Sequence, residues 1–329
     1  MPYETGTATN LQDLLNKLGT FAGANGWTIH FSGARTGGAG STGHALILSR
    51  GVVQAILRSN NAAGTPTADP GPYLEGLLWS GTYTGASTET QPSPSPITST
   101  NWMTGPYVAY HFFASALAAP RPYLHVVVEV TSGIFRHIGI GQLRQFGTFT
   151  NGAYVYGTNH HFNVASSFVN EANNQAHSWP FDPGGSSANN YSTLVRADFG
   201  GVVPRYCQGQ ANSGAVGRLW CGWRNPSSVN MGNFNSLALA SPSAFTGRAP
   251  LFPLLCFVQA DAVDNLRHPV GFPDDFRFIR IDNFQPGATI TLGSDTWRVF
   301  PCVRKGSAAT GPAGVQNSWA YGYAYRQVP

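Results

Sequence analysis

Charge is what this sequence has least of. Only 19 of its 329 residues are Lys or Arg and 15 are Asp or Glu, so charged residues make up 10% of the chain, against about 25% in ordinary soluble domains. A surface this poor in charge is weakly protected from association, so much of it is expected to be covered by partners. Lysine is nearly missing. Lys17 and Lys305 are the two lysines, and the other 17 basic residues are arginine. Arginine is enriched at protein interfaces and lysine depleted there; a GC-rich genome gives the same bias. The net charge is only +4 and there is no run of basic residues, which argues against nucleic-acid binding.

Other absences narrow the field. No apolar run reaches the roughly 18 residues of a membrane helix, and the opening MPYETGTATN has no basic and apolar targeting pattern. The expectation is a chain made and folded in the cytosol, with no membrane segment. The four cysteines, Cys207, Cys221, Cys256 and Cys302, form no C-x-x-C pair and have no His at finger spacing, which argues against zinc. Cys207 and Cys221 can pair across a loop, but cytosolic folding disfavours it; buried thiols are the expectation. The loop GARTGGAGSTG at 33–43 is rich in glycine, yet lacks the lysine of a phosphate-binding loop. G-x-S-x-G and H-E-x-x-H are missing too. No cofactor, no metal and no enzymatic activity are expected.

What is present points to β structure. There are 39 Gly and 23 Pro, and the 42% hydrophobic and 12% aromatic residues argue against disorder. In the central stretch 123–161, Leu124, Val126, Val128 and Val130 alternate with Tyr123, His125, Val127 and Glu129. The turn TSG follows, then Ile134 to Ile140, so the spacing predicts a β-hairpin. Gly139 and Gly141 inside a strand suggest bulges or close approach of another backbone. Asn151-Gly152 predicts a turn before the strand Ala153–Tyr156. Shorter hairpins are expected around Ser49-Arg50-Gly51 and Gly293-Ser294-Asp295. Further strands are expected at Trp27–Phe31, in FRFIRI at 276–281 and in the apolar pair LFPLLCFVQA at 251–260; Tyr73–Trp79 is an apolar stretch, and 192–199 and 236–240 are weaker apolar runs. Tyr321, Tyr323 and Tyr325 alternate in a terminal strand with an aromatic face. Tyr107–Phe113 reads as a strand or a short helix.

One helix is predicted over 9–22. Thr9 with Gln12 forms a capping box, and Leu11, Leu14, Leu15, Leu18 and Phe21 share one face. Such a segment is close to the length limit for an isolated helix. It should exist because it docks, on its own sheet or on a neighbouring subunit. The Pro/Ser-rich stretch 85–100 reads as an exposed connector or arm. The expected fold is mainly β: an antiparallel sandwich or barrel-like fold with an N-terminal amphipathic helix and long Gly/Pro-rich loops. Residues 1–120 and 121–329 are the two candidate domains, and a single domain is the alternative.

Several residue groups invite a chemical reading. His125, Glu129 and His137 share a face of the predicted hairpin, with His160 and His161 nearby, which is enough to imagine a metal or acid–base cluster; a His–Glu hydrogen-bonded pair is the plainer reading. Asp261, Asp264, Asp274 and Asp275 are candidates for paired carboxylates in glycan cleavage, and also ordinary turn acids. Trp220 and Trp223 in LWCGW can stack on sugars in a glycan- or receptor-binding module, or simply fill a core.

Three segments carry a resemblance. YETGTATNLQDLLNKLGTFAGANGW near the start, EVTSGIFRHIGIGQLRQFGTFTNGAYVYG in the middle, and DTWRVFPCVRKG with SWAYGYAYR at the end resemble a family of tailed-bacteriophage virion structural proteins encoded among tail and baseplate genes. The resemblance implies a virion component repeated around the tail axis, at the tail tip, baseplate, collar or neck. It would contact copies of itself and other virion proteins such as tube, fibre or connector. Leu11, Leu14, Leu18 and Phe21 on the helix, with Arg136, Arg277 and Arg280, are the candidate interface residues.

Overall fold

The computed structural model describes residues 2–35, 42–60, 72–85, 91–95, 97–100, 103–160, 177–178, 180–181, 193–198, 205–208, 219–221, 246, 248–259, 267–305 and 321–328. The chain opens with β1 (Tyr3–Gly6) and α1 (Leu11–Ala24), followed by β2 (Thr28–Ala34), β3 (His44–Arg50), β4 (Val53–Asn60), β5 (Tyr73–Leu78) and β6 (Thr98–Thr100). Next come β7 (Ala109–Ala114), β8 (Tyr123–Thr131), β9 (Ile134–Gln142), β10 (Arg144–Gln145), β11 (Thr150–Gly157), β12 (Asn159–His160) and β13 (His177–Ser178). Then follow β14 (Thr193–Asp198), β15 (Arg205–Gln208), β16 (Leu219–Cys221), β17 (Phe252–Pro253), β18 (Cys256–Gln259) and β19 (Arg267–Phe272). The chain ends with β20 (Phe276–Arg280), β21 (Thr289–Leu292), β22 (Asp295–Pro301) and β23 (Tyr321–Gln327). The protein is mainly β with one helix, as expected. Its sheets are antiparallel and open-edged, so the barrel-like alternative is corrected to a sandwich-like stack.

A seven-stranded sheet forms the middle layer, in the order β1-β7-β8-β9-β11-β14-β15. Strands alternate their side chains between faces, and both faces of this sheet are apolar. Leu124, Val126, Val128, Ile138 and Ile140 point to one side, where they pack with α1 and with the five-stranded sheet β2-β3-β4-β5-β6. Tyr123, Val127, Tyr154 and Tyr156 point to the other, against the five-stranded sheet β17-β20-β23-β22-β21 and part of the sheet β10-β19-β18-β16. A sheet covered on both faces reads as near-continuous apolar sequence, which is why VVVEV stands out. The 120/121 boundary expected from the sequence falls between β7 and β8, neighbouring strands of this sheet.

The helix docks on its own chain. Leu11, Leu14, Leu15, Leu18 and Phe21 are all buried in the first core, and the Phe21 ring lies 5.5 Å from that of Phe112 on β7. Burying each such side chain contributes roughly 1.5–3 kcal/mol as an upper estimate. The cap is one residue later than Thr9. Asn10 is the N-cap and its Oδ1 accepts from the Asp13 amide at 2.9 Å, while Asp13 Oδ2 accepts from the Thr9 amide at 2.9 Å. Asp13 thus takes the part expected of Gln12, because a shorter acid at N3 also sits favourably in the helix dipole.

Other local expectations are met or corrected. The β8–β9 and β21–β22 hairpins form with two-residue turns, and Gly133 takes φ +77°. Of residues 107–113, those from Ala109 on are strand, in β7, and Tyr107 and Val108 lead into it. Asn151-Gly152 does not connect two strands; it is a bulge inside β11, with φ +81° and +72° and a register shift against β14. The same tolerance of left-handed backbone that makes Asn-Gly a turn also suits a bulge. The expected pair in 251–260 divides between β17 and β18, which belong to different sheets. The run 236–240 lies outside the described residues. Among the described residues, no helix is long and apolar enough to cross a membrane.

Candidate functional site

Of the polar groups that the sequence offered for chemistry, His125, His137 and Asp275 come together between the middle sheet and the sheet of β20 and β23. The convergence starts with two glycines. Gly139 on β9 lies opposite His125 on β8 and Tyr156 on β11; Gly141 lies opposite Tyr123 and Tyr154. A methyl at Gly139 would come within 2.5 Å of His125 Nδ1, and one at Gly141 within 2.5 Å of Tyr154 Oη. The close approach inferred for these glycines is real, but it comes from side-chain rings and not from another backbone. The strand surrenders two side chains so that rings from both neighbours can lie across it.

His125 is the hub of the cluster. Its Nε2 donates to Oδ2 of Asp275, the residue just before β20. Its Nδ1 is hydrogen-bonded to Tyr156 Oη at 2.8 Å. The ring is stacked with those of Tyr123, Tyr154, Tyr156 and Phe276 at centroid distances of 5.1 to 6.2 Å. A second relay runs beside it. His137 Nε2 donates to the Pro301 carbonyl at 2.8 Å, which leaves Nδ1 to accept from Tyr325 Oη at 2.7 Å. A carbonyl can only accept, so this geometry places a proton on Nε2 of His137; burial, which disfavours the charged ring, keeps Nδ1 unprotonated and able to accept from Tyr325.

Burial decides what such a cluster can do. His125 is 1% exposed, Asp275 3%, and His137, Tyr154, Tyr156 and Tyr325 0%. Burial holds the His137 ring well below its ordinary range, at about 3. It pushes the Tyr154, Tyr156 and Tyr325 hydroxyls far up, with the Asp275 charge adding to the effect at Tyr154 and Tyr156. Charge in this layer is therefore disfavoured, and the two relays satisfy polar groups that the packing encloses. Phe181, Phe276 and Tyr323 close over them. The arrangement bolts two sheets together; a general acid or base must instead reach a substrate atom.

The expected partners differ from the observed ones. His125, Glu129 and His137 do share one face, but no His–Glu pair forms. Glu129 turns back to accept from the Gly133 amide at 2.7 Å and closes the hairpin turn. Asp274 faces away from Asp275 and pairs with Arg121 and Arg144. The side chains of His160, His161, Asp261, Asp264, Trp220 and Trp223 lie outside the described residues. Cys256 and Cys302 are buried in the second core; the Cys207 and Cys221 side chains lie outside the description.

The candidate interface residues occupy separate places. Leu11, Leu14, Leu18 and Phe21 face the first core. Arg136 is 1% exposed, donates to the Phe135 carbonyl at 3.0 Å, and is held down to about 10 by burial. Arg277 lies over the Phe272 and Trp297 rings at 5.3 and 5.4 Å. Arg280, on the opposite face of β20, pairs with Asp282 at 2.9 Å and covers Tyr321.

Sequence reasoning missed Asp275 as the partner of His125, and missed why the glycines recur. Gly-x-Gly in one strand beside Tyr-x-Tyr in the next is the signal that was there to find. The chain matches no protein-family model and no curated protein.

Proposed function

We propose that this chain is a structural, non-enzymatic subunit of a tailed-phage virion, an oligomeric tail-associated component that holds neighbouring virion proteins together. One observation carries the reading. Among the described residues, the candidate histidines and acids His125, His137, Glu129, Asp274 and Asp275 are enclosed in the core or engaged in structural pairs, while apolar side chains stand exposed on a surface of a chain with few charges. Leu117 is 70% exposed, Leu292 61% and Val108 48%. Scattered apolar residues are ordinary on a charged surface; on one this poor in charge they suit burial against other subunits. The three segments resembling tail and baseplate proteins agree with it.

The test is composition of the particle. Virions purified from cells that express this gene should contain the chain in a fixed ratio to the tail-tube protein, measured by quantitative mass spectrometry. A chain that stays in the soluble fraction, absent from the particles, refutes the proposal. Image reconstruction of the same particles then gives its layer.

A further inference from the structure

An unpaired sheet edge is a template for another chain, and most described edges in this molecule are blunted. β1 is four residues long and carries Glu4. β2 is interrupted by a register shift between Ile29 and Phe31. β6 has three residues; β10 and β17 have two each, with Arg144 and Pro253 among them. β21, with sequence TITL, has none of these features. From Gly287 to Ser294 there is neither a charge nor a proline. Thr289, Thr291 and Leu292 are exposed, and among the described residues no strand pairs with the outer side of β21.

The phase of the ladder shows what this edge presents. β21 runs in register with β22 from Thr289↔Arg298 to Leu292↔Asp295, and the Val299 amide donates to the Ala288 carbonyl at 2.9 Å. Alternate residues of an antiparallel strand turn both backbone polar groups to the same side. Ile290 and Leu292 therefore bond β22, and Thr289 and Thr291 turn their N–H and C=O outward. Ile290 itself packs against the outer cluster of Ile279, Trp297 and Val299.

We propose that β21 is a self-pairing edge: two copies of this chain join their β21 strands antiparallel about Ile290, so that two five-stranded sheets become continuous. The occupant is a second copy because Thr-Ile-Thr reads alike in both directions. Antiparallel self-pairing then sets Thr289 against Thr291 of the other copy, twice, with two N–H···O bonds in each pair. Ile290 meets Ile290 at the non-hydrogen-bonded site, where side chains approach closest. Leu292 gains an apolar neighbour in Ala288 of the other copy. Apolar groups share one face and hydroxyls the other. A charged residue in this strand would lie within two positions of its own like across the two-fold axis, and none is present. Such a contact is isologous and closes on a dimer. It stands independently of the virion proposal, since it needs only this chain.

The test uses the full chain with Ile290→Cys under mild oxidation. A disulfide dimer is expected, mapped by peptide mass spectrometry to position 290 in both chains. The native chain should show a concentration-dependent dimer in sedimentation velocity. Thr291→Pro removes an outward N–H without touching the β22 ladder. In the Ile290→Cys background it should cut the disulfide yield at least tenfold at an unchanged melting temperature. If Thr291→Pro lowers the melting temperature, Thr291→Lys is read instead. It places like charges close together across the axis and should give the same loss. A native chain that stays monomeric and yields no 290–290 disulfide overturns the proposal, as does a disulfide that survives Thr291→Lys.

Discussion

At the scale of single residues, the molecule is most sensitive where side chains are missing. Gly139 and Gly141 are shelves under rings, so Gly139→Ala should destabilise by about 1–3 kcal/mol through overpacking, read as a lower urea midpoint at constant slope. Asp275→Ala leaves the His125 Nε2 donor without its acceptor, and an orphaned buried donor costs about 1–3 kcal/mol. Asp275→Asn, which keeps an accepting oxygen in place, should cost less; equal losses for the two would mean that the hydrogen bond contributes nothing. The glycine alternation and the tyrosine alternation are both visible in the sequence. What joins His125 to Asp275 is not, because 150 residues separate them and only the packing of two sheets brings them together. Arg136 misled for a similar reason: an arginine in an alternating strand looks like surface, and this one is enclosed.

At the scale of elements, local pattern was the readable part. The apolar stripe of α1, the β8–β9 hairpin and the Gly293 turn each draw their evidence from neighbouring residues, and each formed. Pairings between distant strands, such as β1 with β7, left no local trace. Within these elements Arg50 stands out as a staple. Its guanidinium donates to the carbonyls of Asn25, Ser115, Ala116 and Leu117 and to Ser115 Oγ. One side chain thereby ties the end of α1 and the β3–β4 turn to the loop that presents Leu117. Arg50→Met should keep the stem packing and lose the donors. Faster amide exchange at 115–119, together with a lower melting temperature, is the expected result; unchanged exchange would show that the loop holds itself.

At the scale of the whole molecule, the middle sheet sets the behaviour. Both cores need it, and it takes strands from either side of residue 120. Fragments 1–120 and 121–329, expressed separately, should each lack a cooperative thermal transition; a sharp transition in either would show that half to be self-sufficient. Acid acts on the same layer. Burial lowers His137 to about 3 and His111 to about 4, the latter with help from Arg298, against an ordinary value of 6.5. The fold favours their neutral forms and the unfolded chain does not. Their contribution is therefore complete above pH 6.5 and is lost as pH falls from there toward 3. Urea midpoints measured from pH 7 to 4 should fall steadily. His137→Gln, less stable at pH 7, should flatten that fall.

The order in which the layers occur along the chain has a consequence for synthesis. Leu46, Leu48, Leu57, Leu74 and Leu78 face inward from a sheet that is translated early, and α1 covers only part of them. The rest of their cover includes Val126, Ile138 and Val155. A ribosome adds about 5–20 residues per second, so an oily face waits several seconds, half-clothed, for strands not yet made. During that interval the nascent chain is at its most adhesive, and the cell must shield it.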